Sequence, residues 1–300
     1  MPRAKPRPAH KSAQPSHHEN VDPRWLLKAI GAVLLAAMAC TWFALCLLYY
    51  QGQWQIVLHP VRTASQSASA NAVRFSPNES GQTQLVGQLL TASPGSRYSN
   101  LTVLFLAGGD GSVANSAQTI AALHDLGINV FAFDYRGYGL SNGPHPNQQR
   151  MTEDSEATWR YLTTTRGLPA SQIVLYGTGV GASLATHVAG QHPEIQALIL
   201  DSPYTDLIDI ARQNSPRLLP IGLLFNDRFP LIEPLANLRT PKLLIAGSTP
   251  PAAYVTAADP KITMNLPTRT DALFEQAVRR FLDQYTQPVP TPAPSLTNPR

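Results

Sequence analysis

The sequence predicts an α/β fold, in which a mainly parallel sheet carries helices on both faces, preceded by one transmembrane helix. Short apolar runs rich in β-branched residues alternate with helical patterns over most of the chain, and this alternation is typical of parallel strands joined by helices. An uncharged apolar run extends from Ala29 to Tyr50. At about 1.5 Å per residue it is long enough to span a hydrocarbon core of about 30 Å. The 300 residues of the chain then suffice for one large domain.

Basic residues are concentrated ahead of the apolar run. Residues 1–28 hold six lysines and arginines against two acidic residues, which accounts for the formal net charge of +4 of the whole chain. We expect a disordered tail here, because these residues lack the apolar side chains needed for a core. The positive-inside rule predicts that this tail is cytoplasmic and that the main domain is extracytoplasmic, either periplasmic or lumenal. A nucleic-acid partner is not predicted, since the basic residues adjoin a membrane span.

The apolar run has two other interpretations. Ala37 and Ala39 fit a small-residue cleavage site, but the run continues well past Ala39, whereas the apolar part of a cleaved signal peptide normally ends there. Cys40 suggests a lipid anchor, although Ala37 stands where such a motif prefers leucine. We favour an uncleaved signal anchor over residues 29–50. Cys40 and Cys46 are the only cysteines, so the main domain can hold neither a disulfide nor a thiolate metal site.

Residues 53–286 are predicted to form the main domain. The early strands follow one another without helices, so we expect them to pair antiparallel at one edge of the sheet. Residues 204–238 interrupt the alternation and are predicted to form a lid, and the proline-rich residues 287–300 are predicted to be a disordered tail. The predicted strands are 55–59, 72–75, 85–90, 101–106, 130–134, 173–176, 197–200, 242–246 and 262–266, and the predicted helices are 114–126, 151–165, 180–190 and 270–285.

Four runs carry a family resemblance, namely VLFLAGGDGS, FDYRGYGLSNG, IVLYGTGVGASLA and ALILDSPY. They resemble the α/β-hydrolase superfamily, in particular single-pass membrane proteins related to serine aminopeptidases and prolyl oligopeptidases. The resemblance extends over about Gln53 to Tyr285 and implies an α/β-hydrolase fold with a Ser, acid and His triad. Asp134 and Arg136 are expected to fix the loop after the fourth strand of that fold.

The resemblance places the nucleophile in a GxSxG elbow between a strand and a helix. The five residues here are GTGVG, so Gly179 stands in the serine's place. Glycine tolerates the strained dihedral angles of this turn, but it presents no hydroxyl group. Thr178 and Ser183 are poor replacements, because the first points elsewhere in such a turn and the second lies one helical turn deeper.

The two other triad positions are also substituted. The acid expected after the strand KLLIAG is replaced by Pro250, and the segment from Gly247 to Lys261 is too short for the usual helix and loop. The histidine must come last in this fold, yet no histidine follows His192. Its expected position falls at Arg269, whose guanidinium group stays protonated and cannot act as a general base.

The remaining candidate residues would line a pocket above the elbow. Backbone N–H groups around the oxyanion region and at the elbow could bind an anion or a carbonyl group, although the family's usual HG pair is Ala107 and Gly108 here. The pocket and oxyanion candidates are Gly108, Gly109, Asp110, Val180, His145 and Ser202.

Three functions follow from these residues. The first is a non-enzymatic membrane-anchored pseudoenzyme that binds an unidentified small molecule or protein, and the second is a hydrolase using other residues, such as Ser183, Ser202 or His145. The third is a dinucleotide-binding protein, because GTGVGA also fits GxGxxA and Asp201 ends the next strand; the hydrolase-like runs disfavour it. The sequence predicts no cofactor and no metal site.

Overall fold

The computed structural model describes residues 22–62, 71–78, 81–204, 207–268 and 270–286. The chain divides into two units, Met1–Leu48 and Tyr49–Arg300. The described part of the first unit belongs to one helix, α1 (Pro23–Gly52). Within the described residues, α1 is the one helix whose length and apolar composition allow it to cross a membrane. The apolar run predicted at 29–50 lies inside α1.

The second unit is built on one eight-stranded sheet with the order β1-β2-β4-β3-β5-β6-β7-β8. The antiparallel edge predicted from the sequence is confirmed, because β1 and β2 pair antiparallel and β2 also pairs antiparallel with β4. The other neighbours are parallel. The strands are β1 (Ala72–Phe75), β2 (Leu85–Leu90), β3 (Thr102–Leu106), β4 (Asn129–Asp134), β5 (Ile173–Gly179), β6 (Ala197–Pro203), β7 (Lys242–Ala246) and β8 (Lys261–Asn265).

Helices follow most of the parallel strands, as the alternating pattern predicts. A 3₁₀ turn (Val113–Ser116) precedes α3, and a π-helical turn (Tyr161–Thr165) follows α4. The helices are α2 (Trp54–Val57), α3 (Ala117–Asp125), α4 (Gln148–Arg160), α5 (Gly181–Gln191), α6 (Leu207–Gln213), α7 (Ile221–Leu224), α8 (Ile232–Asn237), α9 (Ala252–Thr256) and α10 (Asp271–Tyr285).

One local prediction is wrong. The strand predicted at 55–59 is instead the short helix α2, closed by a hydrogen bond of 2.7 Å from Leu58 N to Trp54 O. Val57 and Leu58 are both buried, and one helical turn can bury consecutive side chains where an edge strand would alternate them. The short segment between β7 and β8 contains α9, a helix of five residues.

Residues 204–238, the predicted lid, contain three short helices, α6, α7 and α8. We call residues 207–238 the excursion, because they leave the sheet after β6 and return to it at β7.

The loop after β4 is fixed by the two residues that the sequence singled out. Asp134 accepts hydrogen bonds from Val113 N (2.8 Å) and Leu140 N (3.3 Å). Arg136 donates from Nε (2.8 Å) and Nη2 (2.6 Å) to Asp154 Oδ1, inside the fold. Burial raises the pKa of the Asp154 carboxyl, and the hydrogen bonds from Arg136 act against that rise. The loop that borders the site is therefore held by buried polar contacts.

Candidate functional site

The elbow between β5 and α5 has the tight geometry expected of a strand-turn-helix motif. Gly179 ends β5 with φ at +54°, a left-handed conformation that favours glycine. A Cβ atom on Gly177 would lie 2.4 Å from Gly181 O, and one on Gly181 would lie 2.1 Å from Leu106 O. Both distances are far below van der Waals contact, so the elbow requires glycine at these two positions.

The Tyr204 ring covers Gly179 at the turn of the elbow. A Cβ atom on Gly179 would lie 3.2 Å from Tyr204 Cε2 and 3.2 Å from Gly108 Cα. The space in which the family's serine side chain would project is therefore bounded by an aromatic ring and by backbone. The Tyr204 hydroxyl donates a short hydrogen bond to Asp110 Oδ2. Burial, followed by this bond to the Asp110 carboxylate, raises the pKa of Tyr204, which keeps the hydroxyl neutral and donating.

Asp110 joins Tyr204 to the segment that follows α2. Its other oxygen, Oδ1, lies 2.9 Å from His59 Nδ1. The backbone supports this contact, because His59 N donates to Gly109 O at 2.8 Å and Gly111 N donates to His59 O at 3.0 Å. Residues 59 and 110 thus form an isolated parallel bridge. No sequence pattern indicates a role for His59, and Tyr204 lies in the ALILDSPY run without a predicted role in the site.

The predicted oxyanion region is closely packed. A Cβ atom on Gly109 would lie 2.7 Å from Leu58 Cδ2 and 3.5 Å from Val180 Cγ2. Leu58 is fully buried, and Tyr138 donates its hydroxyl to Gly109 O at 3.1 Å. Gly108, Gly109 and Val180 therefore do meet at the elbow, as the fold resemblance implied, with side chains filling the space beside them.

Ser202 lies beside the elbow in an unusual conformation. Gly179 aligns with Pro203 across a register shift between β5 and β6, and Ser202 has φ at +47°. Its hydroxyl donates to Asp201 Oδ1 at 2.9 Å. The Asp201 carboxylate is buried and also accepts the hydroxyl of Tyr176. A non-glycine residue held at positive φ is uncommon and marks local strain.

The two other proposed alternative residues have contacts elsewhere. Ser183 donates its hydroxyl to Pro230 O at 2.7 Å. The His145 ring stacks on Trp54, with centroids 5.1 Å apart, and burial, followed by the Arg150 charge, lowers its pKa. In the part of the chain that the structure describes, no histidine ring nitrogen bonds the hydroxyl of Ser183 or Ser202.

The acid position carries no ionisable group. Pro250 follows β7 after three exposed residues, Gly247, Ser248 and Thr249. Arg269, at the predicted histidine position, lies outside the described residues. Across the described ranges there is also no group of three His, Cys, Asp or Glu residues placed to hold a metal ion.

A cavity of about 650 Å³ lies along α5, from Ser183 to Gln191, rather than at the elbow. None of the residues that line it belongs to the elbow or the oxyanion region. Its polar lining includes Thr152, Ser183, His187, Asn237 and Arg239. This cavity is therefore separate from the elbow.

Residues 99–285, more than half of the chain, match the sequence profile of the family described as serine aminopeptidase, S33. The chain belongs to the serine aminopeptidase S33 family. The GxGxxA pattern lies within the matched residues, at the turn between β5 and α5. The sheet order also differs from the order 3-2-1-4-5-6 of dinucleotide-binding sheets.

Similar proteins occur in bacteria and animals. An uncharacterised protein of Mycobacterium tuberculosis is 33% identical over 198 residues, which are 61% of this chain and 69% of that protein. Alpha/beta hydrolase domain-containing protein 17C of Xenopus tropicalis is 32% identical over 157 residues, which are 52% of this chain and 47% of that protein. The aligned residues thus span about half the length of the second relative.

Solved structures show the same fold at low identity. An esterase of Pyrococcus furiosus aligns with a TM-score of 0.59 at 20% identity, covering 76% of this chain and 99% of the esterase. An alpha-beta serine hydrolase homologue from Coxiella burnetii aligns with a TM-score of 0.51 at 20% identity, covering 72% and 99% of the two chains. The second unit of this S33 family member is therefore an α/β-hydrolase fold.

Proposed function

We propose that this chain is a membrane-anchored pseudoenzyme of the S33 family that binds a ligand or partner without the family's serine hydrolysis. The observation that carries the proposal is the elbow itself. Gly179 offers no hydroxyl group, and the Tyr204 ring lies 3.2 Å from the place where a side chain would begin. Loss of a catalytic serine costs about 10⁶-fold in turnover in a hydrolase of this kind.

The residues at the predicted acid and histidine positions also support the proposal. Pro250 at the acid position cannot orient a histidine, and the sequence contains no histidine after His192. The nearest imidazole to the oxyanion region among the described contacts is His59, which bonds Asp110 rather than a nucleophile. A general base without a nucleophile has nothing to activate.

The retained parts favour a binding role. Gly177 and Gly181 still satisfy the close contacts of the elbow, and Asp134 and Arg136 still fix the adjoining loop. A chain that keeps this framework while the reactive groups are replaced is suited to present a surface rather than to catalyse a reaction.

Anchoring is part of the proposal. Helix α1 has the length and composition of a membrane span, and the basic residues before it favour a cytoplasmic N-terminus. The domain would then be extracytoplasmic. Protease added to spheroplasts of a bacterial expression host should digest a C-terminal tag from the outside, and a tag that is digested only after lysis would contradict this orientation.

Reactivity with a fluorophosphonate probe tests the absence of catalysis. The purified full chain in detergent should show no labelling beyond that of the heat-denatured chain. Stoichiometric labelling of the folded chain at any serine would falsify the pseudoenzyme proposal. An active S33 hydrolase treated in parallel confirms that the probe reacts under the same conditions.

Ser202 supports a second candidate function, that of a hydrolase with a displaced nucleophile. Its positive φ and its hydrogen bond to the buried Asp201 carboxylate are the observations in favour. If this candidate is right, labelling is lost in Ser202→Ala and kept in Ser183→Ala. If the pseudoenzyme proposal is right, neither variant differs from the parent chain.

A further inference from the structure

The excursion exposes two leucines to solvent. Leu218 is 82% exposed and Leu223 is 81% exposed. They lie five positions apart, before and within α7, while Ile221 and Phe225 of the same stretch are buried. The stretch therefore packs one set of apolar side chains against the domain and directs another set outward.

Arginines surround the exposed leucines. Arg228 donates from Nη2 to Gly222 O at 3.0 Å, and Arg212 Nη2 lies 3.7 Å from the position of a Cβ on Gly222. Both guanidinium groups therefore flank the residue that precedes Leu223. Arg217, which precedes Leu218, is exposed.

Residues 207–229 hold one described acidic side chain, that of Asp227. Asp227 is buried and accepts a hydrogen bond from Gln148 N at 2.9 Å. The side chain of Asp209 lies outside the described part. We call Arg212, Arg217, Leu218, Leu223 and Arg228 the leucine-arginine surface.

This surface lies close in space to Gln53, three residues after the apolar run ends. Gln53 Oε1 accepts a hydrogen bond of 2.8 Å from Asn226 N, and α2 packs against α6. Consecutive Cα atoms are about 3.8 Å apart. Leu223 therefore lies within about 11 Å of Asn226, and Tyr50, the last residue of the apolar run, within about 11 Å of Gln53.

We propose that the leucine-arginine surface rests on an anionic lipid bilayer, with the two leucines in the interface and the arginines at the headgroups. The proposal rests on the membrane anchoring included in the proposed function. Exposed apolar side chains flanked by cationic ones bind such interfaces through burial of apolar area and attraction to anionic headgroups. The short path from Tyr50 to Asn226 keeps the surface within reach of the lipid.

Spin labels on the full chain test the proposal. The chain is reconstituted in nanodiscs of phosphatidylcholine and phosphatidylglycerol, in a Cys40→Ala, Cys46→Ala background. Labels are placed singly by Leu218→Cys or Leu223→Cys. We expect these labels to be protected from a water-soluble nickel reagent and accessible to oxygen. Labelling by Val255→Cys provides the matched control, because Val255 is an exposed apolar residue on α9, and this label should stay accessible to nickel.

A fourth label, by Leu34→Cys in α1, separates two kinds of failure. If the Leu34→Cys label lies in lipid while the Leu218→Cys and Leu223→Cys labels are as accessible to nickel as the control, the surface contact is overturned and the anchor stands. If the Leu34→Cys label is itself in water, both the anchor and the contact are overturned. Protection that persists unchanged in nanodiscs of phosphatidylcholine alone, at low salt, would overturn the role of the arginines.

Discussion

The ring of Tyr204 lies 3.2 Å from the position that a Cβ atom on Gly179 would take. The ring is held there by the hydrogen bond of its hydroxyl to Asp110, which also bonds His59. Three segments that are distant in sequence therefore meet above the elbow. The Tyr204 ring therefore borders the space in which the family resemblance places the serine side chain.

The first prediction concerns Gly179→Ser. We expect this change to destabilise the fold by about 1–3 kcal/mol, because it places a Cβ atom at positive φ and against Tyr204. Gly190→Ser on α5 is the control, since nothing lies within 4 Å of its added Cβ, and its effect should stay within about 0.5 kcal/mol. Urea unfolding in mild detergent measures both.

Adding Tyr204→Ala to Gly179→Ser should recover part of the loss if the ring is the obstacle. A double variant that is less stable than the sum of the two single variants would contradict this steric account. Fluorophosphonate labelling of the double variant should remain absent, because no general base is restored.

The second prediction concerns Gly181→Ala. The added methyl group would meet Leu106 O at 2.1 Å and Ala107 O at 2.5 Å, and backbone atoms cannot move aside without shifting β3. We expect a loss of about 3 kcal/mol or more. Gly190→Ala, on the same helix in free space, should instead stabilise the chain by about 0.5–1 kcal/mol. Similar unfolding midpoints for the two variants would show that the elbow is not packed as described.

The third prediction compares the two acidic partners of Arg136. Asp154 is fully buried and accepts three hydrogen bonds from Arg136, so Asp154→Ala should cost about 3–5 kcal/mol by removing the buried partner of this guanidinium group. Glu153 lies 3.1 Å from the same guanidinium but is 48% exposed, so Glu153→Ala should cost about 0–1 kcal/mol. Thermal unfolding of the two variants checks the ranking, and equal losses would contradict it.

The fourth prediction concerns pH. Burial raises the pKa of the Asp227 carboxyl above its usual 3.8, and the hydrogen bond from Gln148 N opposes the rise. Because the folded pKa exceeds the unfolded one, the contribution of this group to stability is complete below pH 3.8 and is lost as pH rises through the folded pKa.

Asp227→Asn removes this titration while keeping an acceptor oxygen. The advantage in unfolding free energy of the parent chain over Asp227→Asn should therefore decrease as pH is raised from below 3.8. Denaturant titrations at several pH values measure it. Asp125→Asn, at an exposed carboxylate on α3, controls for the loss of one acidic residue. If the stability advantage of the parent chain grew with pH instead, the raised pKa assigned to Asp227 would be contradicted.

Much of the architecture was predictable because its signals are local. Three elements were predicted to within a few residues, namely the strand that enters the elbow, the strand KLLIA and the final amphipathic helix. Burial of a strand on both faces, or of a helix on one face, leaves a regular pattern in the sequence. The segment 55–59 was not predicted correctly, because five residues of mixed apolar and polar sequence suit either a strand or a helical turn. In the structure this segment forms a helical turn and is attached to Gly109 through His59.

The sequence by itself indicated the apolar span and the order of strands and helices, and it predicted that Gly179, Pro250 and Arg269 stand in place of the serine, acid and histidine. These are properties of residue type and of short-range periodicity. Only the tertiary structure decided that Tyr204 covers Gly179, that Leu58 fills the space beside Gly109, and that the excursion lies beside α2. Each of these depends on segments that are far apart in the chain, and their contacts follow from packing, which no local pattern encodes.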